Sequence, residues 1–283
     1  MLRSLLFSPA NSHRKVAKAL AGDADAVIID LEDAVALDEK RAARQDVIAV
    51  LANPRPKPVY VRVNGLSTPF CLDDLTLVGA RAPDGIILPK VETARDLQIA
   101  DWVLGQVEEA AGLRRNSIDL MPIIETARGI ANVHLFAGTV ERVRRMLFGA
   151  VDLALDMEAD LESSDGPLQP ARFAVAVASR AAGLESPIDT AFIDIGDLDR
   201  LQQSAATARR MGYQGKCCIH PAQVETVQKI FTPTAEEYAR AEKIVAAFEL
   251  AEAEGKAAIM VDGLMVDYPV AARARRQLAN RPL

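Results

Sequence analysis

The feature of this sequence that most constrains its fold is a repeated alternation of short aliphatic runs with longer helical segments. Eight runs rich in β-branched and aliphatic residues are predicted to be strands, at residues 2–8, 26–31, 59–64, 85–90, 118–124, 144–149, 187–192 and 215–219. Helical periodicity marks the segments between them, which include 14–20, 40–51, 94–111, 130–137, 170–182 and 197–211. Such alternation predicts a parallel sheet with helices outside it.

Eight repeats predict closure into a barrel, and 283 residues suit a fold that typically takes roughly 250. No glycine-rich dinucleotide fingerprint follows the first predicted strand, which argues against an open doubly wound sheet. We therefore expect an eight-stranded parallel β/α (TIM) barrel as the catalytic domain at residues 1–233. Residues 234–283 are expected to form a C-terminal extension. Its helix at 236–254 precedes an apolar piece, 257–270, that packs outside the barrel or on a neighbouring subunit.

Composition excludes several other classes of protein. The net charge of −6 is too acidic overall for a nucleic-acid binder, and no uncharged apolar run approaches the roughly 18 residues of a membrane span. The three cysteines, Cys71, Cys217 and Cys218, cannot all pair, and no Cys-x-x-Cys pattern with histidine partners accompanies them. We interpret them as reduced thiols of a cytoplasmic protein.

Polar side chains are concentrated where the predicted strands end, and barrel enzymes carry their active sites at this carboxyl face. Side chains alternate along a strand, so Asp30 and Glu32 share one side, and Asp33 begins the loop. In residues 59–64 the three valines share one face, which suits contact with the outer helices. Arg62 is therefore expected to point inward, near the mouth of the barrel.

Two further acids follow later strands: Glu125 ends the fifth, and Asp152 lies just beyond the sixth. Carboxylates crowded at one opening repel each other or take up protons unless a cation neutralises them. Oxygen ligands without a histidine cluster favour magnesium or manganese, and magnesium typically takes one or two carboxylates. Glu125 and Asp152 are the predicted metal pair, which leaves Arg62 for a substrate carbonyl or carboxylate. Taken singly, each acid is equally explained as a helix cap or a surface group, and Arg62 as a structural ion-pair residue.

Eight segments of the chain together form a specific pattern. They are RSLLFSPANSHRKVAKAL, DAVIIDLEDAV, VYVRVNG, DGIILPKVET, MPIIETARGI, LFGAVDLALD, GYQGKCCIHPAQ and VDGLMVDYP. In this order they resemble the citrate lyase β-subunit-like family of the aldolase/citrate lyase superfamily, which includes malyl-CoA and citramalyl-CoA lyases. The resemblance implies a magnesium-binding barrel that assembles as a homotrimer or a dimer of trimers.

The resemblance also implies roles for particular residues. The family's metal ligands fall on Glu125 and Asp152, and its substrate arginine falls on Arg62. Its acidic pair after the second strand falls on Glu32 and Asp33.

Basic residues after the first strand hold CoA phosphates in family members that use CoA. Arg14 and Lys18, four apart and so on one helix face, are the candidates. A merely solvated basic helix start is the alternative. The segment VDGLMVDYP matches a lid whose later aspartate, Asp267 here, enters the neighbouring subunit's active site. Asp262 is the second choice for that role.

The implied reaction is a retro-Claisen or retro-aldol cleavage of a β-hydroxyacyl-CoA, such as malyl-CoA or citramalyl-CoA, to acetyl-CoA or a close homologue and a 2-keto acid. Arg62 would stabilise the enolate oxygen, and Asp267 would exchange a proton with the enolate carbon. Three alternatives stay open. They are a CoA-independent aldolase of pyruvate and an aldehyde, a citrate lyase β subunit acting on a carrier-bound citryl thioester, and a non-catalytic barrel.

Two further features of the sequence bear on the site. Ala10 stands where many family members have a glycine, and a backbone with positive φ would resist alanine, so a differently shaped first loop is expected. Lys216 and His220, assigned to the eighth strand, are interpreted as structural residues rather than as a general base and its partner.

Overall fold

Eight parallel strands close into a barrel in sequence order, with the last strand paired to the first. They are β1 Ser4–Pro9, β2 Ala26–Asp30, β3 Val59–Arg62, β4 Gly85–Leu88, β5 Asp119–Ile124, β6 Leu147–Phe148, β7 Ile188–Asp189 and β8 Gly215–Cys218. The predicted β/α (TIM) barrel is therefore confirmed. The structure, a computed structural model, describes residues 2–160, 166–279 and 281. The remaining residues of the two expected domains lie outside the described part.

Helices alternate with these strands. They are α1 His13–Ala21, α2 Lys40–Leu51, α3 Cys71–Asp73, α4 Ala94–Ala110, α5 Ala127–Phe136, α6 Ala150–Asp156, α7 Gln169–Ala181, α8 Leu198–Arg210 and α9 Val224–Phe231. A π-helical turn, Asp74–Val78, follows α3, and 3₁₀ turns lie at Gly166–Leu168 and Pro221–Gln223. Thr93 and Thr126 cap α4 and α5 by accepting backbone N–H groups, which fixes where these helices begin. None of the described helices is both long and apolar enough to cross a membrane.

The alternation of side chains along the strands divides the core of the barrel into two layers. Inside it, Ile28, Tyr60 and Ile123 belong to one apolar cluster. Outside it, Val59 and Val61 belong to the larger cluster formed with the helices. The valine face of β3 thus packs outward as predicted, and the other face points into the barrel. Each fully buried aliphatic side chain contributes roughly 1.5–3 kcal/mol to this core.

The observed strands are shorter than the predicted runs at several ends. The sixth and seventh strands contain two residues each, against predicted runs at 144–149 and 187–192. Strand β6 is short because α6 begins at Ala150, so the chain leaves the sheet directly after Phe148. Asp152 therefore lies in the first turn of a helix that was not predicted. His220 lies beyond the end of β8 rather than on it.

Contacts divide the chain into two units, Met1–Phe231 and Thr232–Leu283. The second contains α10 Ala235–Ala253, an antiparallel hairpin of β9 Ala258–Val261 and β10 Leu264–Asp267, and α11 Tyr268–Ala279. It has its own apolar cluster, which includes Phe248 and Val266. The C-terminal helical extension was predicted, whereas the hairpin was not. Its signal was the Asp262-Gly263 pair, whose φ angles of 49° and 77° suit a two-residue hairpin turn.

Candidate active site

The polar residues predicted to share one opening do come together, at the carboxyl ends of the strands. Asp30, Asp33, Arg62, Glu125 and Asp152 line a cavity of about 430 Å³, here called the mouth. The rest of its wall is largely apolar and includes Phe7, Pro9, Ile123, Leu147, Val151, Ala191, Ile193 and Ile219. A mostly apolar cavity with a few convergent polar groups is the usual form of a small-molecule site.

Arg62 is held in one orientation by Asp30. Its Nε donates to Oδ1 of Asp30 at 2.7 Å, and its Nη2 donates to Oδ2 at 2.6 Å. The same two oxygens accept the backbone N–H groups of Glu32 and Ala34, which anchors the carboxylate. The guanidinium carbon lies 5.0 Å from the centre of the Phe7 ring. This bidentate pair leaves Nη1 of Arg62 directed toward the other acids and fixes it without substrate.

Glu32 lies between the two cations of the mouth. Its Oε2 is 3.1 Å from Nη1 of Arg62, and its Oε1 accepts a hydrogen bond of 2.6 Å from Nζ of Lys90. Asp33 is more distant, with 3.8 Å between its Oδ2 and Nη1 of Arg62, and its side chain is 57% exposed. The acidic pair therefore divides into a buried carboxylate that takes part in ion pairs and an exposed one at the rim.

Lys90 is a member of this cluster that the sequence did not identify. Besides Glu32, its Nζ lies 3.5 Å from Oδ1 of Asp152. Its backbone N–H donates to Oε1 of Glu125 at 2.9 Å. Its φ of 53° is uncommon for a residue with a side chain. The sequence could have indicated Lys90 through its position two residues after the end of β4, because active-site residues of a barrel lie at the carboxyl ends of its strands.

Glu125, like Asp30, is almost fully buried in the mouth. Burial, followed by the negative charges of Asp152 and Glu32, raises its pKa to about 8. Gly149 makes room for it, since a Cβ at that position would lie 2.6 Å from both Cβ and Oε2 of Glu125. The same glycine precedes α6, whose first turn carries Asp152. Local structure thus brings the two acids together.

The charges of the mouth are incompletely balanced. Arg62 pairs with Asp30, and Lys90 pairs with Glu32 and, at 3.5 Å, with Asp152, whereas no arginine in the described part of the chain lies within salt-bridge distance of Glu125 or Asp152. Among the described residues, no group of three or more histidine, cysteine, aspartate or glutamate side chains is placed to hold a metal ion. The mouth therefore offers a pair of carboxylates, which matches the one or two that magnesium uses.

The predicted CoA-binding residues lie on α1. Arg14 and Lys18 are both exposed, and in the described part of the chain neither has a carboxylate partner within salt-bridge distance. Lys18 borders a second cavity of about 360 Å³, together with Asp23 and Glu225. Ala10 is absent from the residues with positive φ among those described, so its backbone accepts alanine without strain.

Asp267 ends β10 in the second unit. Its Oδ1 accepts the backbone N–H of Val270 at 3.2 Å, which places it at the start of α11 as a cap. Its side chain is partly exposed.

Lys216 and His220 both make contacts of the kind expected of structural residues. Nζ of Lys216 is fully buried and donates to Asp189 at 2.6 Å. Nδ1 of His220 accepts the backbone N–H of Ala222 and caps a 3₁₀ turn.

A closed parallel barrel with acids and a fixed arginine at the carboxyl end of its strands defines the class of this protein: it is a β/α-barrel enzyme. The profile of the HpcH/HpaI aldolase/citrate lyase family matches residues 3–221, and that of C–C bond lyases of the TIM-barrel fold matches residues 177–266. The chain belongs to the HpcH/HpaI aldolase/citrate lyase family, as the resemblance predicted, and is an enzyme of the lyase class.

Relatives with different named substrates are similarly close. Citrate lyase subunit beta of Leuconostoc mesenteroides is 34% identical over 98% of this chain and 93% of its own. The L-malyl-CoA/beta-methylmalyl-CoA lyase of Rhodobacter capsulatus is 34% identical over 94% of this chain and 90% of its own. CitE of Mycobacterium tuberculosis, solved in complex with magnesium, acetoacetate and coenzyme A, is 30% identical, with a TM-score of 0.81 and 98% of both chains covered.

Proposed function

We propose that this protein is a magnesium-dependent lyase that cleaves a β-hydroxyacyl-CoA thioester of the malyl-CoA or citramalyl-CoA type. The products are acetyl-CoA and a 2-keto acid. The observation that carries the proposal is the pair of carboxylates, Glu125 and Asp152, beside a preoriented Arg62 in one cavity. The ligands of CitE and the named substrate of the R. capsulatus lyase support a CoA thioester.

The donor set of the mouth fits magnesium. Both candidate ligands are carboxylates, which hard cations prefer. The pKa of Glu125, raised to about 8 first by burial and then by the charge of Asp152, means that ionising this carboxyl is unfavourable in the metal-free site, and a divalent ion would offset that cost. Glu125 and Asp152 would hold magnesium, or manganese in its place. The bound ion supplies Lewis-acid activation of the substrate's hydroxyl and carbonyl oxygens.

The chain's own residues account for the remainder of the cleavage. The bond between the carbon carrying the hydroxyl and the thioester's α-carbon breaks, the hydroxyl loses its proton, and the α-carbon gains one. Negative charge develops on the thioester oxygen, and Nη1 of Arg62 stabilises it without reorganisation because Asp30 already fixes the guanidinium. Glu32 helps to orient Arg62.

Three further parts of the proposal rest on family resemblance. Asp267 of a neighbouring subunit delivers the proton to the enolate carbon. Arg14 and Lys18 bind the CoA phosphates as exposed cations. The protein assembles as a homotrimer or a dimer of trimers. Independently of the resemblance, the three free cysteines support action in the cytoplasm.

Two other enzymatic functions differ from this one in the substrate: one uses a thioester on a carrier protein, and the other uses no thioester. A citrate lyase β subunit takes its thioester on an acyl-carrier protein, and the L. mesenteroides protein with that name is 34% identical. A pyruvate aldolase needs no thioester. Exposed Arg14 and Lys18 favour a phosphate-bearing substrate over the aldolase reaction.

The test is keto-acid release by the purified protein, with magnesium and with chelator. Malyl-CoA, citramalyl-CoA and citryl-CoA are compared with a carrier-linked citryl thioester and with aldol formation from pyruvate and an aldehyde. Asp152→Ala should abolish release. Asp156→Ala is the matched control on the same helix. The Asp156 carboxylate does not line the mouth and instead accepts the backbone N–H of Ala127. Release only from the carrier thioester, or only aldol activity, would replace the proposal by that alternative.

A further inference from the structure

Lys90 contacts three acids of the mouth through two different parts of the residue. The ammonium lies 2.6 Å from Glu32 and 3.5 Å from Asp152. The backbone N–H donates to Glu125. The left-handed backbone that makes this double contact is a strained conformation for lysine, and such residues cluster at functional sites. A surface lysine without these contacts would not require a left-handed backbone conformation.

The amine of Lys90 is unsuited to act as a nucleophile. Its Nζ donates to Glu32 at 2.6 Å and lies 3.5 Å from Asp152, so it is held as a cation between two carboxylates. Its chemistry is that of a fixed positive charge beside the metal pair.

Glu32 is a third buried carboxylate next to that pair. One of its oxygens faces the ammonium of Lys90, and the other faces Arg62. Oε1 accepts the hydrogen bond from Lys90, whereas Oε2 lies near Arg62 without a hydrogen bond, so the ammonium of Lys90 is the group that holds Glu32 away from a metal ion. Without the lysine, one oxygen would be released toward Glu125 and Asp152.

We infer that Lys90 is a positioning residue that acts as a cation at the edge of the mouth, with 43% of its side chain exposed: it neutralises Asp152 in the metal-free protein, competes there with the divalent ion, and keeps Glu32 from becoming a third metal ligand. The inference rests on the proposed metal site. On metal loading the ammonium gives up Asp152 and keeps Glu32. Lys90 thus lowers the affinity for the ion and stabilises the protein that lacks it.

The direction of the effect distinguishes this role from simple support of the ligands. Removal of the ammonium removes a positive charge near the ion and frees a carboxylate, and both changes strengthen cation binding, by about three- to tenfold. A residue that merely held Asp152 in place would weaken binding when removed. Lys90→Met and Lys90→Gln both remove the charge, whereas Lys90→Arg keeps it.

The experiment is calorimetric titration of the full-length protein with Mn²⁺ and with Mg²⁺, together with thermal unfolding in chelator and at saturating Mg²⁺. Lys57→Met is the matched control, because Lys57 precedes β3 at the opposite end of the barrel and donates to backbone carbonyls of Gly22 and Ala24. The two neutral variants at position 90 should bind the ions more tightly than wild type. They should also unfold at a lower temperature in chelator, with the difference reduced by Mg²⁺. The arginine variant should bind like wild type, and so should the control.

Equal or weaker binding by both neutral variants would overturn the inference and leave the metal site standing. Absence of divalent binding in wild type and in all variants would overturn the proposed metal site, and the inference with it.

Discussion

At the scale of single residues, the orientation of Arg62 depends on Asp30. Both oxygens of this nearly buried carboxylate accept hydrogen bonds from the arginine and from backbone N–H groups. Loss of one partner of a buried ion pair costs roughly 3–5 kcal/mol because the other charge is left unpaired. Asp30→Asn is therefore expected to destabilise the protein and to misplace Arg62, with a loss of about 100-fold in kcat/KM.

Denaturant unfolding and steady-state kinetics measure the two effects separately. Asp25→Asn is the matched control, because Asp25 binds Arg3 in a similar two-point pair at the amino end of the barrel. It should lose stability and keep kcat/KM. An Asp30→Asn protein with wild-type kcat/KM would show that Asp30 does not orient the arginine for catalysis.

Glu125 makes the stability of the metal-free protein depend on pH. Its folded-state pKa of about 8 exceeds the ordinary value of 4.5, so the unfolded chain gives up this proton at lower pH than the folded chain does. The folded state therefore loses stability as the pH rises from about 4.5 to about 8, and no further above that. Relative to wild type in chelator, Glu125→Gln should gain stability across this window, by up to roughly 5 kcal/mol.

Thermal unfolding at several pH values, with chelator and with magnesium, checks this expectation. Magnesium should remove the pH-dependent loss in wild type. Asp152→Asn should make the loss shallower, since it removes a negative charge that raises the pKa of Glu125. If the unfolding temperatures of wild type and Glu125→Gln changed with pH in parallel, Glu125 would not be the cause of the pH-dependent loss of stability.

At the scale of elements, the junction of β6 with α6 leaves space for Glu125. The φ of Gly149 is −110°, which alanine adopts freely, so the substitution is opposed by the contacts of an added Cβ, at 2.6 Å with Glu125 and at 2.9 Å with Ile123. Gly149→Ala is expected to displace the carboxylate and to weaken magnesium binding by about 10- to 100-fold. Gly105→Ala in α4 is the control: its nearest new contact is 3.9 Å away, and alanine stabilises a helix by up to about 1 kcal/mol. Calorimetry measures the magnesium affinity of both variants. Unchanged affinity in Gly149→Ala would mean that the space at this junction is not needed to position Glu125.

The same elements show what the sequence could predict. All eight strands were located, because a short aliphatic run bounded by turn residues is the pattern of a buried strand. Strand alternation also placed Arg62 and the acids at one opening. Helix α6 was missed because its seven residues are too few for a clear period. Lys90 was missed because its partners come from other strands, and no local pattern records a contact across the barrel.

At the scale of the whole molecule, each of the two units has its own apolar core, and the residues proposed for catalysis are divided between them. Arg62 and the metal pair belong to the first unit, and Asp267 belongs to the second. If Asp267 supplies the proton, Asp267→Ala should keep magnesium affinity and lose turnover, because the carboxylate acts on the enolate and not on the ion. Calorimetry and keto-acid release measure the two properties independently. Unchanged turnover would exclude Asp267 from catalysis.

Mixed assemblies test whether that aspartate acts in a neighbouring subunit. Asp152→Ala chains, which keep Asp267, are reassembled with Asp267→Ala chains, which keep the metal pair. In an equal mixture of a cyclic oligomer, about a quarter of the sites combine an intact barrel with an intact neighbouring aspartate, so about a quarter of wild-type turnover should return. A mixture of Asp152→Ala with Glu125→Ala chains is the control and should stay inactive, because both defects lie in the barrel. Loss of turnover in Asp267→Ala without recovery in the first mixture would mean that Asp267 serves the barrel of its own chain.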